Sequence, residues 1–181
     1  MSFMNSTIFK VAAGAVVTFI LIAIVGGILG GGKEGAKDQA ISLKLNLDSA
    51  LEVIAKFQPN VKSSDLRSSS ASLYSVLSNT TRDLSTYITE NYNYKPKEDN
   101  KKFKNDVALE RDGLESALFE AKINGILDQV YANKMAYTIS LIYSKEANLK
   151  KATNSEELEA ILVSSMNSLD TLYDKFDDFQ K

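Results

Sequence analysis

LEAILVSSMNSLDTLYDKFDDF, residues 158–179, puts Leu158, Leu162, Ser165, Leu169, Leu172, Phe176 and Phe179 at steps of 4, 3, 4, 3, 4 and 3. That is the a/d spacing of a helix that buries one narrow face against other helices, with one small polar residue in the seam. The alternation of a half-buried strand does not fit it. The helix has good starting signals: Thr153 with Glu156, and Asn154 with Glu157, each have capping-box spacing. Glu156, Glu157 and Glu159 suit the positive end of the helix dipole.

Moving outward, Leu66, Ser70, Leu73, Leu77, Thr80, Leu84 and Tyr87 repeat the pattern, with Ser63 or Ser64 placed to cap the start. Ser68 to Ser70, with Ser72, make this helix thin, so that stretch either receives a neighbour closely or stays solvated. A first helix runs from about Ala36 to Phe57 on a stripe of Leu43, Leu47, Leu51 and Ile54, widened by Ile41 and Leu45. Pro59 ends it, because the residue before a proline resists the helical region. Asn91 to Asn100 reads as the one long loop.

Between Lys101 and Lys151, Phe103, Val107, Leu114 and Leu118 form one stripe, and Ile126, Leu127, Val130, Ile139 and Ile142 a broader surface. The segment Ile126 to Tyr143 is apolar almost all round and is predicted to be the most buried helix. Asn124-Gly125 either ends a helix with glycine just past its last turn, or sits inside one rod of about 75 Å. The break is the reading adopted. From Ala36 to Lys181 the only glycines and prolines are Gly113, Gly125, Pro59 and Pro96, too few for a sheet protein. The predicted fold is all-α, with residues 33–181 forming an antiparallel four- or five-helix bundle.

Ahead of the bundle, residues 11–32 (VAAGAVVTFILIAIVGGILGGG) carry no charge and are bracketed by Lys10 and Lys33. At 1.5 Å per residue this run is long enough to cross a hydrocarbon core of about 30 Å. Residues 1–10 are then a tail and residues 11–32 a single N-terminal transmembrane helix. A cleaved signal peptide, ending near Gly30, Gly31 and Gly32, usually has an apolar stretch of only about 7–15 residues. A buried helix would need a larger domain around it. Orientation signals conflict. Lys33, Lys37 and Lys44 outnumber Lys10, which favours the domain inside, whereas a short tail with one lysine resembles a signal-anchor that exports the domain behind it. The extracytoplasmic placement is adopted. Ala23, Gly27 and Gly31, with Gly26 and Gly30, repeat the small-xxx-small spacing that lets two helices approach closely in lipid; the other reading is a glycine-rich exit from the span.

Composition excludes several classes of function. The chain has no Cys, no His and no Trp. Thiolate chemistry, disulfides and Cys-built zinc sites are absent, as are the commonest general base and transition-metal ligand. From Lys33 onward there are 20 basic and 23 acidic residues, a net charge of -3, which suits nucleic acid poorly. No GxSxG, P-loop, GxGxxG or HExxH occurs. Adjacent acids such as Asp177 and Asp178 point about 100° apart on a helix and form no dyad. No catalytic residue, metal site or cofactor is therefore predicted.

Two charged regions remain. Residues 154–181 hold seven acids and two lysines, for -5, which reads as an acidic docking face or a solvated outer face. Lys95, Lys97, Lys101, Lys102 and Lys104 outnumber Glu98 and Asp99 in the connector, and Tyr92 and Tyr94 lie beside them. This tip is a candidate contact for anionic lipid or a partner. One N-terminal span followed by a helical bundle is a layout similar to that of the bacterial LemA family. The YN-x-LV-type segment that comes after the span in that family is absent from Lys33 to Leu47, so no family is assigned.

The expected function is that of a membrane-anchored helical interaction or scaffold protein, a structural or accessory subunit without catalysis. Its partners would be membrane lipid and a second copy or another membrane subunit, with no small-molecule ligand indicated. The rival is a tethered sensor with a ligand pocket between helices. A cavity of several hundred cubic ångströms lined by Ser70, Thr80 and Ser165 would favour the sensor; serines filling a tight core would favour the scaffold.

Overall fold

Pro59 stops the first helix, α1 (Lys33–Phe57), in a 3-10 turn over Gln58–Asn60. Ser63 starts α2 (Ser64–Asn91) by accepting the Leu66 amide at 3.3 Å. The rest of this corner is held by Asp128, whose two carboxylate oxygens accept the backbone N–H groups of Lys62 and Ser63 at 2.9 and 2.8 Å. After α2 come a short helix α3 (Pro96–Asp99), a 3-10 turn over Asn100–Lys102, α4 (Lys104–Ile123), α5 (Leu127–Ala152) and α6 (Glu156–Asp178). This computed structural model describes residues 33–179, and among them there are six α-helices and no strand.

The helix faces explain the packing. On α2, Leu66, Ser70, Leu73, Leu77, Thr80, Leu84 and Tyr87 are all buried, as their spacing predicts. On α6, Leu158, Leu162, Ser165, Leu169, Leu172 and Phe176 are buried. α1, α2, α6 and α5 pack in a ring, each against the next, and α4 lies against both α1 and α5. The core is a single cluster from Ala36 to Phe176, with α1 adding Ala40, Ala50 and Val53 to its predicted stripe. Each fully buried Leu, Ile or Phe contributes roughly 1.5–3 kcal/mol relative to exposure.

Several expectations are corrected. The bundle is not antiparallel throughout. Arg111 pairs with Glu52 and Lys56 with Glu115, so α4 runs parallel to α1. The connector carries the chain across the end of the bundle to the other side of α1, which leaves α4 no antiparallel option there. That connector is also not a plain loop. Pro96 opens α3, and Asp99 accepts the Lys95 amide at 2.8 Å, closing one helical turn. The start of α6 is capped by Ser155, which accepts the Leu158 amide at 3.3 Å. Thr153 cannot serve there, because it is the extended residue that ends α5; its hydroxyl accepts the Ser155 amide instead. Burial along α5 is no greater in kind than along α1, and Ile126 and Tyr143 are exposed.

The Asn124-Gly125 break is real. Gly125 has φ +74°, the Ile126 amide reaches the Ala121 carbonyl at 3.0 Å and the Gly125 amide reaches that of Lys122 at 3.2 Å. This is the Schellman pattern that ends a helix on a left-handed residue. Gly113, by contrast, sits in the exposed middle of α4 with open space where a Cβ would go. Gly113→Ala is expected to stabilise the fold by about 0.5–1 kcal/mol, and Gly125→Ala to destabilise it by about 1 kcal/mol. Urea unfolding of the two variants checks the opposite signs.

Candidate functional site

Three places on the bundle have the means to do something: the polar layer inside it, the outer face of α4, and the basic connector.

The polar layer joins α2, α5 and α6. Ser165 Oγ donates to Glu146 Oε1 at 2.7 Å, and Thr80 Oγ1 lies 3.0 Å from both Ser165 Oγ and the Val76 carbonyl. Further along, Ser70 Oγ and Tyr131 Oη are 2.5 Å apart. The small side chain at position 70 makes room for the tyrosine ring, so the thin stretch of α2 receives a neighbour at this point. Burial pushes the Tyr131 hydroxyl up to about 12, against the Ser70 hydrogen bond that lowers it. Glu146 is fully buried and its Oε2 has no hydrogen-bond partner. Burial raises its carboxyl to about 7, against the Ser165 hydrogen bond. Sequence reading passes over Glu146 because glutamates are normally solvated. Its position holds the signal: Ala132, Met135, Ile139, Ile142, Glu146 and Leu149 step by 3, 4, 3, 4 and 3, and all are buried.

Two clefts among the described residues lie away from that layer. A cleft of about 260 Å³ runs between α5 and α6, beside Tyr143, Asp170 and Tyr173, and one of about 520 Å³ lies at the α4–α5 corner, beside Lys62, Lys122, Ile126 and Phe179. Neither is lined by Ser70, Thr80, Ser165 or Glu146. The hydroxyls that mark the sensor reading have partners within the core, Thr80 and Ser165 each other and Ser70 the Tyr131 hydroxyl. Among the described residues, no group of three or more Asp or Glu gathers as a metal site would require.

The outer face of α4 is different. Its inner side buries Leu118 and Ala121, with Phe103, Val107 and Leu114 half-buried. On the opposite side Leu109, Phe119 and Ile123 are 73%, 57% and 69% exposed. Leu109, Asp112, Ser116, Phe119 and Ile123 step by 3, 4, 3 and 4, so they form a second seam on the same helix, facing solvent. A helix with apolar residues on both sides normally has something on both sides. Sequence reading misses this face because the stripe of Phe103, Val107, Leu114 and Leu118 already accounts for the helix.

In the connector the predicted contact residues separate into two groups. Tyr92 and Tyr94 are half-buried against the core. Tyr92 stacks edge-on to Tyr87 with ring centroids 5.5 Å apart, and burial and then the Tyr87 hydroxyl push its own hydroxyl up to about 12. Tyr94 donates to Asn100 Oδ1 at 2.6 Å. Both tyrosines therefore hold the connector in place. Lys95, Lys97, Lys101 and Lys102 are exposed, as is Lys104. Lys95 pairs with Glu98, and Lys102 with Asp38. Asp99 turns inward to the Lys95 amide and the Lys37 ammonium, which in that order hold its carboxyl below the usual range.

The other predicted site residues, Ala23, Gly26, Gly27, Gly30 and Gly31, lie outside the described residues, as does the whole run 11–32. Among the described residues, no helix is long and apolar enough to cross a membrane. Comparison with protein-family models, curated proteins and solved structures finds no match to this chain.

Proposed function

We propose that this protein is a membrane-anchored helical interaction module, a structural or accessory subunit that works by docking and not by catalysis. The uncharged run 11–32 supports the anchor through its length and its flanking lysines. The observation that carries the docking is the outer face of α4. Leu109, Phe119 and Ile123 expose large apolar side chains along a seam of two heptads, about 21 Å at 1.5 Å per residue. That is the form of a helix face that joins another helix in the groove or bundle-completion mode. The polar core favours this reading over the sensor, because its hydroxyls already have partners.

The experiment is gentle detergent extraction of the full-length chain, with mass measurement of the purified complex. Wild type is expected to carry a stoichiometric companion, either another membrane subunit or a second copy of itself. Phe119→Ser with Ile123→Ser is expected to lose that companion while keeping its helical circular dichroism. A monomer without companion in the wild type, or a complex indifferent to the double substitution, would remove the α4 face from the proposal.

A further inference from the structure

We infer that the cleft between α5 and α6 is a binding site for a small organic cation, an ammonium or guanidinium head held among Tyr143, Tyr173 and Asp170. Neither the anchor nor the outer face of α4 enters this inference.

The cleft exists because short side chains stand where long ones would close it. Ile139 and Leu169 belong to the core, 1% and 0% exposed, and line the cleft from beneath. On α5, Ser140 and Ser144 turn back onto their own helix and donate to the Ala136 and Ser140 carbonyls at 3.1 and 2.9 Å. Hydroxyls engaged in this way do not bridge to α6, and a volume of about 260 Å³ lies between the two helices. Tyr143, from α5, and Asp170 and Tyr173, from α6, complete the lining. Among the described residues, neither of these phenol hydroxyls nor the Asp170 carboxylate has a hydrogen-bond or ion-pair partner. Other tyrosines differ: Tyr131 bonds to Ser70, and Tyr94 to Asn100.

The lining points to the sign of the ligand. An aromatic face attracts a cation within about 6 Å of the ring centre. The apolar floor suits the methyl or methylene groups that surround an organic cation, and Asp170 supplies the opposite charge. Asp170 is the one charged residue in the lining; Lys145 and Lys175, close by in sequence, are not part of it. The wider field has the same sign, since residues 154–181 carry -5. An anion would meet a carboxylate here and no cation to offset it. At about 260 Å³ the cleft falls below the range of roughly 300–1,000 Å³ typical of pockets for drug-sized ligands, so it suits a compact head. Two sources share this chemistry: the quaternary ammonium of a free small molecule, and the arginine side chain of a peptide.

The test uses the full-length chain with carbon-13 in its tyrosine rings, held in uncharged maltoside micelles. Its eight tyrosines are resolved by nuclear magnetic resonance and assigned by single Tyr→Phe exchanges. The chain is titrated with choline, with 3,3-dimethylbutanol (the uncharged isostere of choline) and with N-acetylarginine amide. A cation is expected to move the Tyr143 and Tyr173 signals saturably and to leave that of Tyr131, which is 0% exposed, in place. The isostere should bind at least about tenfold more weakly than choline. Asp170→Asn should weaken binding about fivefold, the size of one exposed charge pair at about 4 Å in water. Tyr143→Ala with Tyr173→Ala, followed by calorimetry, should weaken it about tenfold or more with helical circular dichroism unchanged. Tighter binding of choline assigns the site to a free ammonium, and tighter binding of the arginine amide to a peptide side chain. Equal affinity for choline and its isostere, binding indifferent to both variants, or no movement at Tyr143 and Tyr173 with either cation overturns the inference.

Discussion

Raising the pH from about 5 to about 8 is expected to cost the bundle on the order of 3 kcal/mol through one side chain, Glu146. The carboxyl is fully buried, and burial raises it from 4.5 to about 7. The folded state therefore holds a proton that the unfolded chain releases between these two values. Where the folded state binds more protons, stability falls as pH rises. The full contribution is present below about pH 4.5, declines toward pH 7 and is gone above it. Ser165 donates to one carboxylate oxygen, but no cation pairs with the carboxylate among the described residues, so the charged form has little to offset its desolvation. Glu146→Gln keeps an acceptor for Ser165 and cannot ionise, so its urea midpoint should be flat across the same window. It should also exceed that of wild type above pH 8. A wild-type stability that falls no more than that of Glu146→Gln over this window would show the carboxylate to be solvated.

Phe176→Ala is expected to cost about 3–5 kcal/mol, and Phe179→Ala less than about 1 kcal/mol. The two phenylalanines differ by three positions and occupy consecutive places in the same seam. Phe176 is 0% exposed in the core, and its removal leaves a cavity that a packed interior fills only in part. Phe179 is 39% exposed and caps the end of α6, so truncating it removes little buried surface. Paired urea denaturation curves measure both values. Similar losses at the two sites would mean that the end of α6 is packed as tightly as its middle.

The contrast between those two residues shows how far periodicity reaches. A step of three or four residues places side chains on one face of a helix because the helix is a local object, its hydrogen bonds spanning four positions. All seven predicted positions on α2 are buried for that reason. The same rule covers six of seven on α6 and fails only where the helix stops. The break at Gly125 is legible because a glycine past a helix end has its own geometry, and Ser63 is one of two caps on offer. The cap at Ser155 lies a residue or two from the predicted ones, since Thr153, Asn154 and Ser155 have equivalent chemistry and only the length of α5 chooses among them.

Sequence alone determined that this protein is helical, where most of its helices lie and which side chains share a face, because each of these arises from interactions within a few residues. Tertiary structure decided everything that depends on what stands opposite. It set α4 parallel to α1, so that one of its faces is covered and the face of Leu109, Phe119 and Ile123 is not. It buried Glu146 at a position where composition implies a solvated acid. It also tied the basic connector to the start of α1 through Lys37 and Asp38. Burial and ion pairing are properties of two surfaces at once, and the second surface comes from a part of the chain that no local pattern can name.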